Sequence, residues 1–450
     1  MNDFTLDFTS DPLSTLDDLD PFPSDQEEEH SAIPVVLLSL DQGKFDAQRS
    51  LDELAALAEA NGMEAVATVC QKRSTPEAAT MLGEGKVAEA RLVCMNTRAE
   101  AAIFDGELSG SQIRNLSAAL QVEVLDRTML ILEIFKSRAS TNEGKLQTEL
   151  AMLRYQLPRL QGLGEALSRQ GGGGGGGGGA RRGAGETKLE LDRRHLHHRI
   201  EHLEGRLKEL EKRRGETRRA RQKNNVPVVA LVGYTNVGKS TLLNALTGAE
   251  VLVENKLFAT LDPTARKLPL PDGTTALLVD TVGFVSRLPH HLVQAFRSTL
   301  KESAYADLIL QVCDLQADNL ELQLATTRET LESLEIGETP ILTVFNKCDN
   351  TKCIESLPAG ISREGAVFVS ARTGYNLDGL LQKIAELLLA DYLPVDCLLP
   401  FSQAVLENTL REKGQLRQSE YLADGIRLVG SCPQEIFYLF APYQREGAGE

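Results

Sequence analysis

The first third of the chain alternates short apolar runs with segments in which apolar residues recur at helical spacing. Short apolar runs are typical of buried strands, and apolar residues three and four positions apart are typical of amphipathic helices. Strands and helices in alternation predict a small α/β domain with a largely parallel sheet. The predicted strands are Val35–Leu40, Glu64–Val69, Ala101–Phe104 and Val122–Leu125, and the predicted helices are Asp46–Ala60, Ser111–Leu120 and Thr128–Lys136.

Two longer helical patterns follow, and each places its apolar residues along one seam. Spacings that alternate between four and three residues are those of helices that pack side by side. An antiparallel helical hairpin is therefore predicted, in which Pro158 should kink or end the first helix. The seam residues are Leu146, Leu150, Leu153, Leu157 and Leu160 in the first helix, and Leu196, Ile200, Leu203, Leu207 and Leu210 in the second.

The two helical patterns are separated by nine consecutive glycines, Gly171 to Gly179, and then by the segment Ala180 to Thr187. Polyglycine has no side chains to pack and the highest chain entropy, so this connector is expected to be disordered in isolation. Two roles stay open for it. It is either a flexible connector or a loop at the tip of the hairpin that threads against RNA.

Alternation of strands and helices returns after residue 226 and predicts an α/β domain of the nucleotide-binding kind. A shorter pattern of strand, helix (Phe401–Lys413), two strands and a short helix then predicts a small appendage. The predicted strands of the larger domain are Val228–Val232, Ala276–Asp280, Leu308–Cys313, Ile341–Phe345 and Ala366–Val369, and its predicted helices are Ser240–Leu246, His291–Lys301, Leu320–Leu334 and Leu377–Leu389.

The predicted organisation has five parts, in keeping with the two or three domains expected for 450 residues. The first 32 residues are rich in Asp, Glu, Ser and Pro and are expected to form a disordered acidic tail. The parts are the tail 1–32, the N-terminal α/β domain 33–135, the basic helical hairpin with its Gly-rich loop 136–225, a P-loop domain 226–393 and the C-terminal α/β appendage 394–450.

Composition indicates a cytoplasmic protein without a membrane span. No apolar run approaches the roughly 20 residues that a transmembrane helix needs, and the first residues are acidic, unlike an export signal. The seven cysteines are odd in number and scattered, which favours reduced thiols over a disulfide framework. A metal site at the closest pair, Cys348 and Cys353, is not expected.

Charge is distributed unevenly along the chain. The net charge is −16, yet residues 136–225 carry 21 Lys and Arg against 11 Asp and Glu. This basic region either contacts RNA phosphates or is the solvated face of a coiled coil, with ion pairs such as Glu204 with Lys208. His195, His197, His198 and His202 lie among these arginines and are not expected to bind metal.

The stretch from Val226 to Thr241 carries the clearest chemical signal. It reads Val-Pro-Val-Val-Ala-Leu-Val-Gly-Tyr-Thr-Asn-Val-Gly-Lys-Ser-Thr, a buried strand, a Gly-rich loop and the start of a helix. Such a loop turns its N–H groups towards phosphates at the positive end of the helix. Lys239 is then expected to reach the β- and γ-phosphates, and the Ser240 hydroxyl to bind Mg²⁺.

Further motifs follow at the ends of later strands. Asp280 closes one strand, where its carboxylate can hold Mg²⁺ through a water, and Gly283 can offer its N–H to the γ-phosphate. In the segment Lys256 to Thr264, a Thr that joins Mg²⁺ only with the γ-phosphate would act as a switch. Thr260 is the first choice for this Thr, and Thr264 is the second.

Base selection is assigned to Asn346-Lys347-Cys348-Asp349 after the strand Ile341–Phe345. A carboxylate can accept hydrogen bonds from N1–H and the exocyclic amine of guanine, a pattern that adenine lacks. Asp349 is therefore expected to select GTP over ATP. The segment Ser370-Ala371-Arg372 can supply a backbone N–H to guanine O6.

These motifs resemble those of the HflX GTPases. The resemblance covers roughly Val35 to Leu393 and includes segments outside the P-loop domain. The matching segments are Gly233–Ser240, Phe258–Thr264, Asp280–Phe284 with Leu288-Pro289, Asn346–Asp349, Glu143–Ala151, Gln156–Leu160 and Gly185–Arg194. The family usually has Gly-Pro-Gly-Glu before the second helix, and this chain has Gly183-Ala184-Gly185-Glu186, which predicts a more flexible loop.

The resemblance implies a GTPase that associates with the large (50S) ribosomal subunit and its rRNA, and that splits or rescues ribosomes or aids their assembly. It implies Ser240 and Thr260 as Mg²⁺ ligands, Asp280 and Gly283 as the γ-phosphate switch, and Asn346 and Asp349 as base readers. Lys239, Thr260 and Gly283 are the catalytic candidates. The predicted GTP-binding set is Gly233, Tyr234, Thr235, Asn236, Val237, Gly238, Lys239, Ser240, Phe258, Ala259, Thr260, Leu261, Asp262, Asp280, Thr281, Val282, Gly283, Asn346, Lys347, Cys348, Asp349, Ser370, Ala371 and Arg372.

Phe284 follows Gly283 at the position where Ras-like enzymes carry a water-orienting Gln. A phenyl ring cannot orient water, so slow intrinsic hydrolysis is expected unless a partner supplies the missing group. Asn236 is either a K⁺ ligand or a residue that bonds only its own loop. Two further interpretations stay open, a regulatory GTPase that docks a protein partner and a mainly structural RNA-binding protein. A monomer is expected.

Overall fold

Three separate β-sheets organise the part of the chain that the structure describes. The computed structural model describes residues 32–170, 182–223, 226–249, 257–287, 292, 305–333, 339–349, 363, 365–390 and 392–445. The predicted acidic tail up to residue 31, the nine-glycine run and all of the predicted helix His291–Lys301 except Leu292 lie outside these residues. Among the helices described, none has the length and apolar character to cross a lipid bilayer.

The first sheet is four-stranded and fully parallel, as the sequence predicts, with the strand order β2-β1-β3-β4. Parallel neighbours require crossover connections, and helices supply them here. The strands are β1 Ile33–Asp41, β2 Met63–Lys72, β3 Ala101–Phe104 and β4 Glu123–Asp126, and the helices are α1 Ala47–Ala60, α2 Glu84–Thr97, α3 Gly110–Leu120 and α4 Arg127–Arg138.

Strand β1 is apolar at every position from Val35 to Leu38, because both of its faces are covered. Val35 and Leu37 belong to one buried cluster, and Val36, Leu38 and Leu40 belong to another on the opposite side. Alternate residues of a strand point to opposite faces, so a strand between two helical layers needs apolar residues at every position. The first domain is therefore a sheet with a core on each side.

The helical hairpin is formed by α5, Asn142–Gln170, and α6, Arg182–Lys223. Ion pairs join Glu143 to Arg214 and Arg154 to Glu204, so the contact point on α6 moves towards its start as α5 advances. The two helices are therefore antiparallel, as predicted. Their shared seam is a buried cluster of Leu146, Leu150, Ile200 and Leu203, with Leu153, Leu157, Leu207 and Leu210 packed against it.

Two details of the hairpin differ from the prediction, and a third outcome is narrowed. Of the kink or end predicted at Pro158, the end is excluded, because helix α5 continues to Gln170. The Arg159 guanidinium helps to hold this part of the helix by donating to Leu108 O and to Asp126 Oδ2 at 2.7 Å each. Residues 182–187 belong to α6, although we expected them in the connector. Extension of an existing helix adds one hydrogen bond per residue, which offsets the roughly 1 kcal/mol cost of each glycine. Glu204 pairs with Arg154 across the hairpin rather than with Lys208.

The second sheet has six strands in the order β10-β9-β8-β5-β7-β6, parallel except for the edge strand β6. Strands β5 and β8 lie in its middle and are buried over almost their whole length. The strands are β5 Val228–Gly233, β6 Thr264–Pro269, β7 Thr275–Asp280, β8 Leu308–Asp314, β9 Ile341–Asn346 and β10 Val367–Phe368, and the helices are α7 Lys239–Thr247, α8 Leu320–Ser333 and α9 Leu377–Leu388.

The third sheet is a small antiparallel one that belongs to the C-terminal appendage, with the order β11-β13-β12. Its first strand begins at Tyr392, two residues before the predicted start of the appendage at 394. The strands are β11 Tyr392–Leu399, β12 Gln415–Leu422 and β13 Gly425–Pro433, the helices are α10 Val405–Lys413 and α11 Gln434–Phe437, and short 3-10 turns lie at Phe401–Gln403 and Ala441–Tyr443.

Candidate functional site

The motifs of the P-loop domain meet around one cavity at the carboxyl edge of the second sheet. Strands β5, β7 and β9 end there at Gly233, Asp280 and Asn346. The cavity has a volume of about 440 Å³. Its lining residues are Thr235, Asn236, Gly238, Lys239, Ser240, Thr241, Phe258, Ala259, Thr260, Thr281, Gly283, Gln316, Asn346, Lys347, Asp349, Ser370, Ala371 and Arg372.

The loop between β5 and α7 has the shape of an anion cradle. Asn236 and Gly238 both have left-handed backbones, with φ of 61° and 90°. At Gly238 there is also no room for a side chain, because a Cβ would lie 2.5 Å from Asn346 Nδ2. That nitrogen donates to Val237 O at 2.9 Å, which ties the loop to the end of β9. The N-terminus of α7 therefore faces the cavity with its loop fixed from behind.

Lys239 is buried at the start of α7. Its Nζ donates to the carbonyl oxygens of Tyr234 at 2.9 Å and Gly233 at 3.2 Å. Burial lowers the pKa of Lys239 to about 8, and the nearby Asp280 carboxylate opposes that shift only in part. A negatively charged ligand in the cavity would supply the counter-charge that this ammonium group lacks.

Ser240, Thr260 and Asp280 place oxygen atoms together at one end of the cavity. Ser240 Oγ donates to Asp280 Oδ2 at 2.6 Å and lies 2.9 Å from Thr260 Oγ1. Asp280 is buried, which raises its pKa, while the Lys239 charge opposes the rise. Its second oxygen, Oδ1, has no hydrogen-bond partner within the described residues. Hydroxyl and carboxylate oxygens with one oxygen uncommitted fit a hard cation such as Mg²⁺.

The opposite end of the cavity is built by the residues after β9 and β10. Asn346 Oδ1 accepts the N–H of Ala371 at 3.0 Å, so Asn346 joins this loop to the phosphate loop. The Ser370 hydroxyl donates to Asp349 Oδ1, and the Ser370 N–H is bonded to Tyr375 O at 3.1 Å. The Asp349 carboxylate is thereby held at the cavity wall.

Lys347 and Gln316 form a second layer at this end of the cavity. Lys347 Nζ pairs with Asp314 Oδ2 at 2.7 Å, and the Gln316 amide donates to Lys347 O at 2.7 Å. Gln316 and Thr241 line the cavity although neither belongs to the predicted GTP-binding set. Gln316 is two residues beyond the end of β8, so its place after a strand end was the available signal.

Several residues in the predicted GTP-binding set do not line the cavity. Val237, Leu261, Val282 and Cys348 are buried apolar positions behind it, and the Gly233 carbonyl accepts from Lys239. Asp280 lies behind Ser240. The side chains of Tyr234 and Asp262 turn away and bond to residues that precede the P-loop domain, namely Glu53 for Tyr234, and Ser140 and Thr141 for Asp262.

Phe284 has a structural place behind the phosphate loop. It is 2% exposed, its N–H donates to Gly233 O at 3.0 Å, and its carbonyl accepts from Thr235 N–H at 2.8 Å. The backbone after Gly283 is therefore paired with the phosphate loop, and the phenyl ring is packed in the core. Neither feature can orient a water molecule in the cavity.

Comparison with known protein families assigns the whole central part of the chain. Residues 48–136 match the family model described as GTP-binding GTPase N-terminal, and residues 138–221 match GTP-binding GTPase Middle Region. Residues 228–347 match the model described as 50S ribosome-binding GTPase. A solved structure described as the SsGBP and GDP complex aligns over 79% of this chain and 99% of its own, with 25% identity and a TM-score of 0.45.

Two curated relatives agree with these matches. GTPase HflX of Caldanaerobacter subterraneus subsp. tengcongensis is 44% identical over 389 residues, which cover 86% of this chain and 89% of the relative. GTPase HflX of Escherichia coli strain K12 is 40% identical over 384 residues, covering 84% and 85%. Relatives of this identity and coverage show that the chain belongs to the HflX family of GTPases, in agreement with the phosphate loop, the Ser240–Asp280 pair and Asp349 around one cavity.

Proposed function

We propose that this GTPase holds the phosphates of GTP on the loop from Gly233 to Ser240. The N–H groups around Gly238 and the first turn of α7 provide a positive end for the anion. The Lys239 ammonium group, now bonded to two loop carbonyl groups, would donate to the β- and γ-phosphates instead. The lowered pKa of Lys239 supports this role, because the phosphates restore the charge that burial disfavours.

The Ser240 and Thr260 hydroxyl groups would hold Mg²⁺ directly, and Asp280 would hold it through a water molecule. When bound, Mg²⁺ neutralises charge on the β- and γ-phosphate oxygens. The uncommitted Asp280 Oδ1 atom supports this assignment. The alternative ligand Thr264 fits less well, since it lies in β6 and pairs in register with Asp280. Asn236 stays our candidate for a K⁺ ligand.

Asp349 would read the guanine base through N1–H and the exocyclic amine. Its fixed place beside Ser370 supports this role, because a held carboxylate loses less entropy when it binds. Asn346 would act behind it, by joining the phosphate loop to the loop that carries Ser370, Ala371 and Arg372. The phosphate end and the base end of the cavity would then be linked through Asn346 when one nucleotide binds both.

Hydrolysis by this protein alone should be slow. The N–H of Gly283 can approach the γ-phosphate, yet the next side chain, Phe284, is buried and has no polar atom. A group supplied by a partner is worth about 10³ to 10⁵ in rate in other GTPases. The catalytic contribution of Lys239, Thr260 and Gly283 would therefore be completed from outside the chain.

We infer that this partner is the large ribosomal subunit and that the hairpin contacts its rRNA. The observation that carries this inference is the charge of α6 outside its apolar seam, where basic side chains such as Arg193, Arg194, Lys208 and Lys212 are exposed. The match of residues 228–347 to a 50S ribosome-binding model agrees with it. We propose that the protein acts in the cytoplasm, where ribosomes are, and that it acts as a monomer.

Co-sedimentation with purified 50S subunits at rising KCl tests this proposal. With a non-hydrolysable GTP analogue we expect binding that weakens steeply with salt, since phosphate contacts release counterions. The slope of log affinity against log salt is negative, and reversal of two exposed charges on α6, Lys208→Glu with Lys212→Glu, should make it less steep by about two.

The matched control reverses two exposed charges on the P-loop domain, Arg328→Glu on α8 with Lys267→Glu on β6. This control should bind with a slope closer to that of the unaltered protein. No binding at any salt concentration would refute the ribosomal assignment. Equal slopes for the two double variants would refute the role of the hairpin.

A further inference from the structure

The loop that carries Thr260 is bound at both ends by residues outside the P-loop domain. At its far end, the Asp262 carboxylate accepts four hydrogen bonds from Ser140 and Thr141. Oδ2 accepts from both N–H groups at 2.8 Å and from the Ser140 hydroxyl at 2.7 Å, and Oδ1 accepts from the Thr141 hydroxyl at 2.5 Å. Charge-assisted bonds of this kind are about twice as strong as neutral ones.

Ser140 and Thr141 immediately precede the hairpin helix α5. The Thr141 carbonyl accepts from Lys145 N–H at 3.0 Å, and its hydroxyl accepts from Gly144 N–H at 3.0 Å, so Thr141 caps this helix. Asp262 therefore contacts the positive end of a hairpin helix. Burial alone would raise the pKa of Asp262, but the bonds from Thr141 and Ser140 together lower it below its ordinary value.

The contact with Asp262 explains why the motif Glu143–Ala151 has a glycine at position 144. A Cβ at this position would lie 2.3 Å from Asp262 Oδ1 and 3.2 Å from Asp262 Cγ. The position is inside α5, where alanine is otherwise preferred over glycine by about 1 kcal/mol. The missing side chain makes room for the Asp262 carboxylate.

The near end of the same loop is held by Phe258. Its ring is 2% exposed and packs edge-on against Phe135 of α4, with 4.8 Å between ring centroids. Thr260 lies between these two anchors and 2.9 Å from Ser240. The position of Thr260 is thus set by contacts to α4 and to the start of α5.

We propose that Asp262 is a positioning residue that holds Thr260 at the Mg²⁺ site by binding the capped start of the hairpin. This inference rests on the proposed role of Thr260 as a Mg²⁺ ligand. A partner that displaces the hairpin would also move the loop that carries Thr260. Conversely, Mg²⁺ and the γ-phosphate would order this loop and thereby fix the position of the hairpin. The same carboxylate thereby links the γ-phosphate end of the cavity to the surface that we assign to RNA.

The test compares the affinity of fluorescent GDP with that of a fluorescent non-hydrolysable GTP analogue while Mg²⁺ is titrated, without ribosomes. Asp262→Asn keeps the size of the side chain but removes its negative charge and one of its two acceptor oxygens, so the bonds from Ser140 and Thr141 lose their charge assistance and at most one side-chain atom can accept them. We expect about tenfold weaker binding of the GTP analogue, a shift of its Mg²⁺ requirement to higher concentration, and unchanged binding of GDP.

Gly144→Ala approaches the same contact from the hairpin side. It should lower the affinity for the GTP analogue in the same way, because its Cβ would lie 2.3 Å from Asp262 Oδ1, and a single cooperative thermal transition should show that the variant is folded. The matched control is Gly205→Ala in α6, where a Cβ would meet open space. This control should bind both nucleotides like the unaltered protein.

Unchanged affinity for the GTP analogue in Asp262→Asn and Gly144→Ala would overturn the inference, and so would an equal loss for GDP and the analogue. Thr260→Ala distinguishes the positioning role of Asp262 from the proposed role of Thr260 as a Mg²⁺ ligand. If Thr260→Ala weakens the analogue and Asp262→Asn does not, only the positioning role fails. If Thr260→Ala has no effect, the proposed Mg²⁺ ligand fails as well.

Discussion

The hydroxyl group of Tyr234, in the phosphate loop, donates a hydrogen bond to the carboxylate of Glu53, in helix α1 of the N-terminal domain. The same hydroxyl accepts the N–H of Ser286 at 2.6 Å, and Glu53 accepts from the Ser286 hydroxyl. Burial, with the adjacent Glu53 charge, raises the pKa of Tyr234, which keeps the hydroxyl protonated. The phosphate loop and the segment after Gly283 are thus both attached to α1.

Buried charges surround this junction. Arg127 pairs with Glu53 Oε2 at 2.5 Å and Asp105 Oδ1 at 3.0 Å, and it donates to Ser286 O at 3.2 Å. Arg287 reaches back from the P-loop domain to Asp105 Oδ2 at 3.0 Å. Such a network specifies one arrangement of the two domains, because any other arrangement leaves buried charges unpaired.

Replacement of Glu53 should expose how much this junction contributes to stability. Glu53→Ala leaves Arg127 with only part of its partners, and we expect the free energy of unfolding to fall by about 2 to 4 kcal/mol, as measured by urea denaturation. Glu59→Ala is the control, since Glu59 is exposed on the same helix. If both variants unfold at the same urea concentration, the junction does not stabilise the protein.

Nucleotide binding should be accompanied by proton uptake at Lys239, and the amount taken up should depend on pH. Its pKa of about 8 without nucleotide means that the group is charged at about pH 7 and mostly neutral at about pH 8.5. If GDP phosphates restore its charge, binding should take up almost no proton at the lower pH and roughly three-quarters of a proton at the higher. Calorimetry in buffers of different ionisation enthalpy measures this uptake, and equal values at both pH values would contradict it.

Lys239→Ala should abolish nucleotide binding without unfolding the protein. The substitution removes a buried ammonium group that bonds only loop carbonyl oxygens, so no buried partner charge is lost except the interaction with Asp280. We expect no measurable GDP binding together with a cooperative thermal transition near that of the unaltered protein. A collapsed thermal transition would show that Lys239 is needed for the fold instead.

Asp349→Asn should change the base preference. An amide presents a donor where guanine requires an acceptor, and xanthine offers an acceptor in place of the exocyclic amine. We expect GTP affinity to fall about 10- to 100-fold and xanthosine triphosphate to be preferred. Asp318→Asn, at an exposed position beyond β8, is the control. A variant that still prefers GTP would refute the assignment of Asp349.

The order of strands and helices was predictable because local patterns carry it. Runs such as Val228–Val232 are apolar throughout, and the strand and helix types named in advance are confirmed for the described residues. Strand β6 was not named, since only Leu268 within it is buried and its place depends on pairing with β7. Helix α2 was also missed, because Leu92 and Met95 are apolar but each 60% exposed, so the apolar positions in its sequence do not mark one buried face.

The cavity residues were found from motifs at strand ends, but the contacts between domains were not. Tyr234 and Glu53 are 181 residues apart, and Asp262 and Thr141 are 121 apart. No pattern along a single chain pairs residues at such separations. Sequence therefore assigned Tyr234 and Asp262 to the nucleotide as members of its motifs, whereas their side chains bond to the N-terminal domain and the hairpin.

The most direct test of a ribosome-stimulated GTPase is the GTP hydrolysis rate of the purified full chain with and without purified 50S subunits. Buried Phe284 leaves the cavity without a water-orienting side chain after Gly283, so hydrolysis by the protein alone should be slow. Addition of 50S subunits should raise the rate by about 10³-fold or more, and Lys208→Glu with Lys212→Glu should reduce that stimulation. A rate that stays the same on addition of 50S subunits would refute the claim that the large ribosomal subunit completes the catalytic site.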